Sequence, residues 1–418
     1  MVFNEKIQNL RIINKSLLWI KALNMKLLNE TNLNGKTVLL RVDLNVPVKG
    51  KKIADQSKIV LIKQTVAQLL KKNNKVFLLS HFGRPKGEVL PSLSLKSLSN
   101  QIEKILGMGR VIFLDNFINQ SKMEKDSIID KGDIFLLENI RFHKEEEEND
   151  ENFSKKLSEC FDVYINDSFS ASHRTHASVV GITKFLPSYA GLLFEKELKN
   201  LKRYVENPRR PCLAIIGGSK VSTKISLIKN IIIKLDYLVI GGGMANTFLA
   251  ADGFQVGSSR IEKNYFNEIY NLKKIAIKHN CKIILPVDAL SSVSLKNAKR
   301  VRNCELNNIL KKESIFDIGD ASINEIVKII SEVQTVLWNG PLGAFEYAPF
   351  DKSTKDIAKH LSKCSRRNNL DVIVGGGDTL AALKDIDVIK NFTYVSTSGG
   401  AFLHYLEGKS LPGIKALK

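Results

Sequence analysis

Two sets of residues in this chain have types and spacings that could do chemistry. The first is polar and basic: Arg41-Val42-Asp43-Leu44-Asn45-Val46-Pro47, then Ser80-His81-Phe82-Gly83-Arg84-Pro85, then Arg141 within Glu138–His143, and His173-Arg174-Thr175-His176. Converging Arg and His side chains suit a small, highly anionic substrate held by charge-assisted hydrogen bonds. The second set is rich in glycine: Gly217-Gly218-Ser219-Lys220, Gly241-Gly242-Gly243, Gly375-Gly376-Gly377-Asp378-Thr379 and Ser398-Gly399-Gly400. Bare backbone N–H groups at such turns let a polyphosphate approach closely. Lys220 and Lys224 could meet a phosphoryl group as point charges. Asp378 could hold Mg²⁺, and Thr379 could donate to a phosphate. Two ligands, one for each half of the chain, imply a transfer.

These residues need strands to position them. Short apolar, β-branched runs precede every one of the turns: Val38–Leu40, Val76–Leu79, Ile134–Leu137 and Val163–Ile165 in the first half, then Leu213–Ile216, Leu238–Ile240, Val372–Val374 and Tyr394-Val395 in the second. Segments of helical periodicity lie between them. Repeated βα units of this kind predict an α/β fold of two Rossmann-like parallel-sheet lobes, whose ligands bind beyond the carboxyl ends of the strands. Residues 25–190 are expected to form the first lobe, 191–207 a connecting helix stopped by Asn207-Pro208, 208–395 the second lobe, and 396–418 a glycine loop and tail. The first 24 residues carry Lys6, Arg11, Lys15 and Lys21 against Glu5 and read as an extension before the first lobe.

Composition narrows the class. The 418 residues include 63 Lys and Arg against 43 Asp and Glu, a formal charge of +20, which points to anionic partners: nucleic acid, membrane surface or phosphorylated small molecules. No apolar run approaches the ~18 residues of a membrane helix. The five cysteines are scattered without a Cys-x-x-Cys pair, so the expected setting is a reducing cytoplasm. The Lys- and Arg-rich stretches Lys202–Arg210 and Lys296–Arg302 read as solvated helix faces, because no aromatics interleave with them as stacking platforms.

Neither standard nucleotide fingerprint is present. Gly241-x-Gly243 is followed by Asn246, and Gly375-x-Gly377 by Leu380, where the dinucleotide pattern needs glycine. Gly35-Lys36-Thr37 and Gly408-Lys409-Ser410 lack the upstream glycine of a P-loop, with Glu30 and Leu403 in its place. His173 and His176 lack a third ligand at a diagnostic spacing. The run Glu145–Glu148 reads as a solvated loop.

Taken in order, Arg41–Pro47, Ser80–Pro85, Gly217–Lys224, Val336-Leu337-Trp338-Asn339-Gly340-Pro341, Gly375–Thr379 and Glu407-Gly408-Lys409-x-Leu411-Pro412-Gly413 resemble phosphoglycerate kinase, from about Met25 to Lys418. The resemblance implies two lobes joined by a helix, with the C-terminus returning to the first. It implies Mg²⁺-dependent phosphoryl exchange between 1,3-bisphosphoglycerate and ADP, giving 3-phosphoglycerate and ATP in glycolysis. A monomer is the family expectation; a cytoplasmic setting with neither a specific nucleic-acid partner nor a membrane partner is the expectation from the cysteines, the basic stretches and the short apolar runs. Carried over by motif, the glycerate phosphate falls to Asp43, Leu44, Asn45, His81, Phe82, Gly83, Arg84, Arg141 and Arg174. The nucleotide falls to Lys224, Gly241, Glu346, Gly376, Gly377, Asp378 and Thr379, with Asp378 holding the metal. Lys220, Gly399 and Gly400 would face the moving phosphoryl.

One position departs from the pattern. Where the family has an arginine that serves as the chief transition-state cation of the substrate lobe, this chain has Lys58. Lysine keeps the charge and loses the planar fork. Two readings follow: an active enzyme of lower rate, or a catalytically weakened homologue kept for binding. A nicotinamide-dependent dehydrogenase would lack its fingerprints here, and a nucleic-acid-binding protein would leave the glycine turns without a purpose.

Overall fold

The structure is a computed structural model describing residues 25–418 apart from 121, 130–132, 297–299 and 368; the expected extension 1–24 lies outside the described residues. The chain divides into two compact units. The first runs to Lys199 and includes Ser410–Lys418; the second is Asn200–Lys409.

The first unit is built on β1 (Thr37–Arg41), the small hairpin of β2 (Val48–Lys49) and β3 (Lys52–Ile53), β4 (Lys75–Leu79), β5 (Val111–Leu114), β6 (Ile134–Leu137), β7 (Val163–Asn166) and β8 (Ser188–Ala190). Its six-stranded sheet has the order β5-β6-β4-β1-β7-β8, with every pairing parallel. Parallel strands covered on both faces read as continuous apolar runs, which is why Val38–Leu40 and Val76–Leu79 are fully buried. The chain first builds to one side of β1 and then crosses to β7 on the other. The loops after β1 and β7 therefore diverge and leave a crevice at that switch point. Arg41 pairs with Leu79 on one side and Asn166 on the other, so these strands end level and present their following residues together.

The second unit repeats the device. Its strands are β9 (Cys212–Ile216), β10 (Tyr237–Ile240), β11 (Lys282–Ile284), β12 (Asp288–Ser292), β13 (Arg302–Glu305), β14 (Ser314–Ile318), β15 (Thr335–Asn339), β16 (Asp371–Gly375) and β17 (Tyr394–Ser396). The main sheet, β11-β10-β9-β15-β16-β17, is again parallel; β13-β12-β14 form a separate antiparallel sheet. Here the switch point lies between β9 and β15, where Ile216 pairs with Asn339.

The helix expected over 191–207 is α-helical over Leu192–Leu201 and continues as a π-helical turn over Lys202–Glu206. Its start is fixed by Asp167. Asp167 Oδ1 accepts from the N–H groups of Leu193 and Phe194 at 2.8 and 3.1 Å, and Oδ2 accepts from Thr65 Oγ1 at 2.6 Å. Gly191 is required beside it, since a Cβ there would stand 2.3 Å from Oδ1. The residues 396–409, expected with the tail, stay in the second unit. The helix Gly399–Leu406 extends directly from β17, and Asn230 Nδ2 donates to Leu406 O at 2.7 Å. The returning segment is Ser410–Lys418, anchored where Gly413 N donates to Ser172 O at 2.9 Å.

Burial pushes the Asp167 carboxyl up from its ordinary 3.8 to about 6. A proton is therefore bound more tightly in the folded state. The cost is absent below the unfolded value and grows to about 3 kcal/mol once pH exceeds the folded one. Asparagine can keep all three contacts, its Nδ2 donating to Thr65 Oγ1. Asp167→Asn is therefore expected to gain stability over the wild type as pH rises from about 4 to 7, by an amount up to about this size. Denaturant unfolding at both pH values checks it, and a difference independent of pH would refute it.

Charge runs behave differently from their sequence reading. Arg209 pairs with Asp371 at 2.8 Å, Arg210 with Asp236 at 2.7 Å, and Arg302, which opens β13 rather than lying on a helix, with Glu313 at 2.9 Å. Glu146 belongs to the short helix Lys144–Glu148 and is fully buried, accepting from Ser178 N and Oγ at 2.8 and 2.6 Å and lying 3.4 Å from His176 Nδ1. The solvated-loop reading of Glu145–Glu148 fails at that residue, because a helix of this length turns one carboxylate inward onto waiting donors. No described helix is long and apolar enough to cross a membrane.

Candidate active site

In the first unit, Arg41 organises the strand ends without facing outward. It is 1% exposed, and its Nε donates to Ser178 Oγ at 3.0 Å and its Nη1 to Val42 O at 2.5 Å. Its Nη2 lies 3.1 Å from His81 Nδ1. A guanidinium can only donate, so Nδ1 accepts and the ring carries its proton on Nε2. Burial, reinforced by the Arg41 charge, pushes the His81 pKa well below its ordinary value, so the ring is neutral at pH 7. His81 thus offers a neutral donor within the polar and basic set.

Asp43 is the hub beside it. Its Oδ1 accepts from Asn45 N at 3.0 Å; its Oδ2 accepts from Lys58 Nζ at 2.9 Å and from Ser170 Oγ at 2.5 Å. Burial alone would raise this carboxyl, but the Lys58 ammonium, then the charge His81 carries when protonated, and the two hydrogen bonds to Oδ2 outweigh it and hold the pKa at about 2. Lys58 also donates to Asn45 O at 3.0 Å, so two of its three N–H groups are committed. Lys58 reaches this place because it stands in the first turn of the helix Ser57–Leu70, whose Ile59, Ile62, Val66 and Leu69 are buried against the sheet.

The loop after β4 is tied to its neighbours through backbone. Gly83 N donates to Asn45 Oδ1 at 3.0 Å, and Arg141 Nη1 donates to Gly83 O at 2.7 Å. Leu44 N donates to Ser80 Oγ, and Phe82 N to Asn139 Oδ1. Gly83 has φ +64°, a conformation that favours glycine. Arg141 is 3% exposed; burial, then the charges of Arg174 and Arg41, bring its pKa down to about 10. The cations acting on Arg141, together with the exposed Arg84 and the half-buried Arg174, form a field that an anion would relieve. The structure therefore brings Asp43, Asn45, Lys58, Gly83 and Arg141 into one hydrogen-bonded set, with the His81 ring held by Arg41 and the Arg174 charge acting on Arg141.

In the second unit, the turns after β9 and β15 touch through bare backbone. A Cβ on Gly217 would stand 1.9 Å from Pro341 O, and one on Gly340, at φ +97°, would stand 2.2 Å from Gly217 O. Trp338 is buried, and its Nε1 holds Gly340 O at 2.8 Å. A cavity of about 270 Å³ opens here, lined by Gly218, Ser219, Gly242, Gly243, Glu346 and Asp378 among others. A larger cavity of about 700 Å³ lies beside β12 and β13, lined by Leu249, Phe254, Val287 and Leu306. It meets none of the glycine turns, so the smaller cavity is the candidate.

The loop carrying Glu346 is fixed from behind. Leu342 N donates to Thr354 Oγ1 at 3.0 Å and Ala344 N to Phe316 O at 2.8 Å. Asp317 packs into the space left by Gly343, accepting from Ser353 N and Oγ; burial pushes its carboxyl up to about 7. Lys224 donates to Asn339 Oδ1, whose Nδ2 donates to Gly375 O at 2.6 Å. Burial lowers the Lys224 pKa, while the Asp378 and Glu407 charges work the other way.

Three sequence expectations shift. Gly241 is buried with its Cα against Leu342, and its neighbours Gly242 and Gly243 line the cavity instead. Thr379 is fully buried, with its hydroxyl donating to Gly375 O at 3.1 Å and accepting from Gly340 N at 2.7 Å. That hydroxyl proton is committed within the fold, so the side chain braces two turns. Lys220, Lys224, Gly376, Gly377, Gly399 and Gly400 are not among the residues lining the cavity, whereas Glu346 and Asp378 are. Ser170, Asp317 and Thr354 did not emerge from the sequence reading, and Asn339 entered it only within the Val336–Pro341 motif, with no role of its own.

A family model described as phosphoglycerate kinase matches residues 28–409. The chain belongs to the phosphoglycerate kinase family. Among similar phosphoglycerate kinases, that of Rhizobium meliloti is 46% identical over 388 residues, spanning 93% of this chain and 97% of the relative. That of Bartonella bacilliformis is 42% identical over 395 residues, spanning 94% and 98%. The solved structure of phosphoglycerate kinase from Coxiella burnetii superposes with a TM-score of 0.85 at 36% identity, covering 94% of this chain and 98% of that one. The chain is thus a phosphotransferase of glycolysis with a carboxyl group as acceptor, exchanging phosphoryl between 1,3-bisphosphoglycerate and ADP. The alternative of a catalytically weakened phosphoglycerate kinase homologue finds no support in these matches.

Proposed function

We propose that Asp43, Asn45, His81, Arg84, Arg141 and Arg174 hold the glycerate phosphate, carried on a frame of the Leu44, Phe82 and Gly83 backbone whose N–H groups are committed to Ser80, Asn139 and Asn45. The nucleotide sits in the second unit's cavity, with Glu346 at the ribose, Gly242, Gly243 and the Gly376–Thr379 turn at the phosphates, and Lys224 behind them. The observation that carries this reading is that cavity, where two carboxylates, Glu346 and Asp378, stand among backbone turns stripped of side chains.

An exposed carboxylate such as Asp378 fits Mg²⁺, which takes one or two protein carboxylates and completes its shell with phosphate and water. Bound there, the ion would neutralise phosphate charge. The protein's own part is alignment and electrostatics: an acyl phosphate is already a reactive donor and ADP supplies the nucleophile. Lys58, Lys220 and the Gly399 and Gly400 amides stabilise charge on the equatorial oxygens. Direct in-line transfer requires hinge-bending to bring the two ligands together. We take the molecule to be a cytoplasmic monomer without a specific nucleic-acid or membrane partner; its five cysteines, scattered without a Cys-x-x-Cys pair, fit a reducing compartment.

The reverse direction tests the reading. ATP consumption by pure protein is expected to require both 3-phosphoglycerate and Mg²⁺. Consumption that proceeds at the same rate without 3-phosphoglycerate would overturn it.

A further inference from the structure

Asp43 Oδ2 is shared by two donors from different elements. One is Lys58 Nζ at 2.9 Å, from the helix Ser57–Leu70. The other is Ser170 Oγ at 2.5 Å, from the short 3₁₀ turn Phe169–Ala171 that follows β7. The contact spans 127 positions in sequence and lies at the switch point, where the loops after β1 and β7 diverge. Ser168 Oγ lies 3.3 Å from Ser170 Oγ and extends the chain of hydroxyls behind it.

An ammonium on a four-carbon stem has no fixed fork; its direction comes entirely from what its donors meet. Here two donors meet Asp43 Oδ2 and Asn45 O, at 2.9 and 3.0 Å, and the third is thereby aimed. The aim is only as good as the placement of Asp43. One oxygen of that carboxylate is held by Asn45 N, in its own loop, and the other by Ser170. A charge-assisted bond from a neighbouring loop is what keeps the carboxylate from turning with its lysine.

We propose that Ser170 is a positioning residue for phosphoryl transfer: its hydroxyl holds Asp43 so that the Lys58 ammonium keeps one N–H directed at the substrate. The inference rests on the reading of Lys58 under Proposed function. Because a guanidinium carries its five donors in a rigid plane, an arginine at position 58 would depend far less on this brace.

The test is a set of steady-state measurements on the full chain: wild type, Ser170→Ala, Ser170→Thr, Lys58→Arg and the double variant Ser170→Ala/Lys58→Arg. Ser170→Ala is expected to lower kcat about tenfold with the KM for 3-phosphoglycerate within about twofold, the size of a lost hydrogen bond to a charged group. Ser170→Thr, which keeps the hydroxyl, is expected to recover most of the rate. In the Lys58→Arg background, Ser170→Ala is expected to cost less than about threefold. An unchanged kcat in Ser170→Ala would overturn the proposal, as would a loss that Ser170→Thr does not recover or one of equal size in both backgrounds. If the wild type itself transferred no phosphoryl, the reading of the whole site would fall, and this proposal with it; an active wild type beside an indifferent Ser170→Ala would remove this proposal alone.

Discussion

Lys220→Ala is expected to lower kcat by about 10³-fold while the KM for ADP changes by no more than about threefold. Lys220 follows Ser219, which lines the second unit's glycine-walled cavity, and stands where the chain leaves the buried strand β9 through Gly217 and Gly218. The other lysine of this turn, Lys224, is half-buried and engaged by Asn339 Oδ1, so its charge is tied to the ground-state architecture. Lys220 is half-exposed and able to follow charge as it moves onto the phosphoryl oxygens. An interaction made mainly in the transition state appears in kcat and spares KM. Steady-state kinetics on the pure variant checks this, and a fall of less than about tenfold would remove Lys220 from the catalytic set.

Position 58 carries the second large effect. Lys58→Ala is expected to lower kcat by about 10²- to 10³-fold, and Lys58→Arg to match or exceed the wild-type rate by up to about tenfold. The alanine variant loses more than a cation. Asp43 then keeps only Ser170 and Asn45 as donors, and the charge that held its carboxyl at about 2 is gone. That carboxyl titrates higher, so the acid limb of the pH–rate profile is expected to move upward in Lys58→Ala and to stay in place in Lys58→Arg. Equal rates in all three proteins would show that position 58 does not meet the moving charge.

Which parts of this site were legible from sequence follows from how local each contact is. Asp43, Asn45, His81, Gly83 and Arg141 stand within a few residues of buried parallel strands, and a strand's end fixes where its next residues point. The same holds for Glu346 and Asp378, which reach one cavity from β15 and β16. Contacts between distant loops were not legible. Ser170 meets Asp43 across 127 positions and Asn339 meets Lys224 across 115, and no periodicity records such a meeting. Thr379 shows a further limit: its motif suggested a phosphate donor, but burial turned the hydroxyl toward Gly375 O. Glu146 failed as part of a charge run because a single helical turn sets its side chain apart from its neighbours. Asp317 carried no signal, since what marks it is the absent side chain of Gly343, 26 positions away in sequence.

The most direct measurement of the central claim is ATP formation by the pure wild-type protein from 1,3-bisphosphoglycerate and Mg²⁺-ADP. One ATP and one 3-phosphoglycerate are expected for each 1,3-bisphosphoglycerate consumed, with turnover lost in Lys220→Ala. Folded wild-type protein that forms no ATP under these conditions would contradict the account.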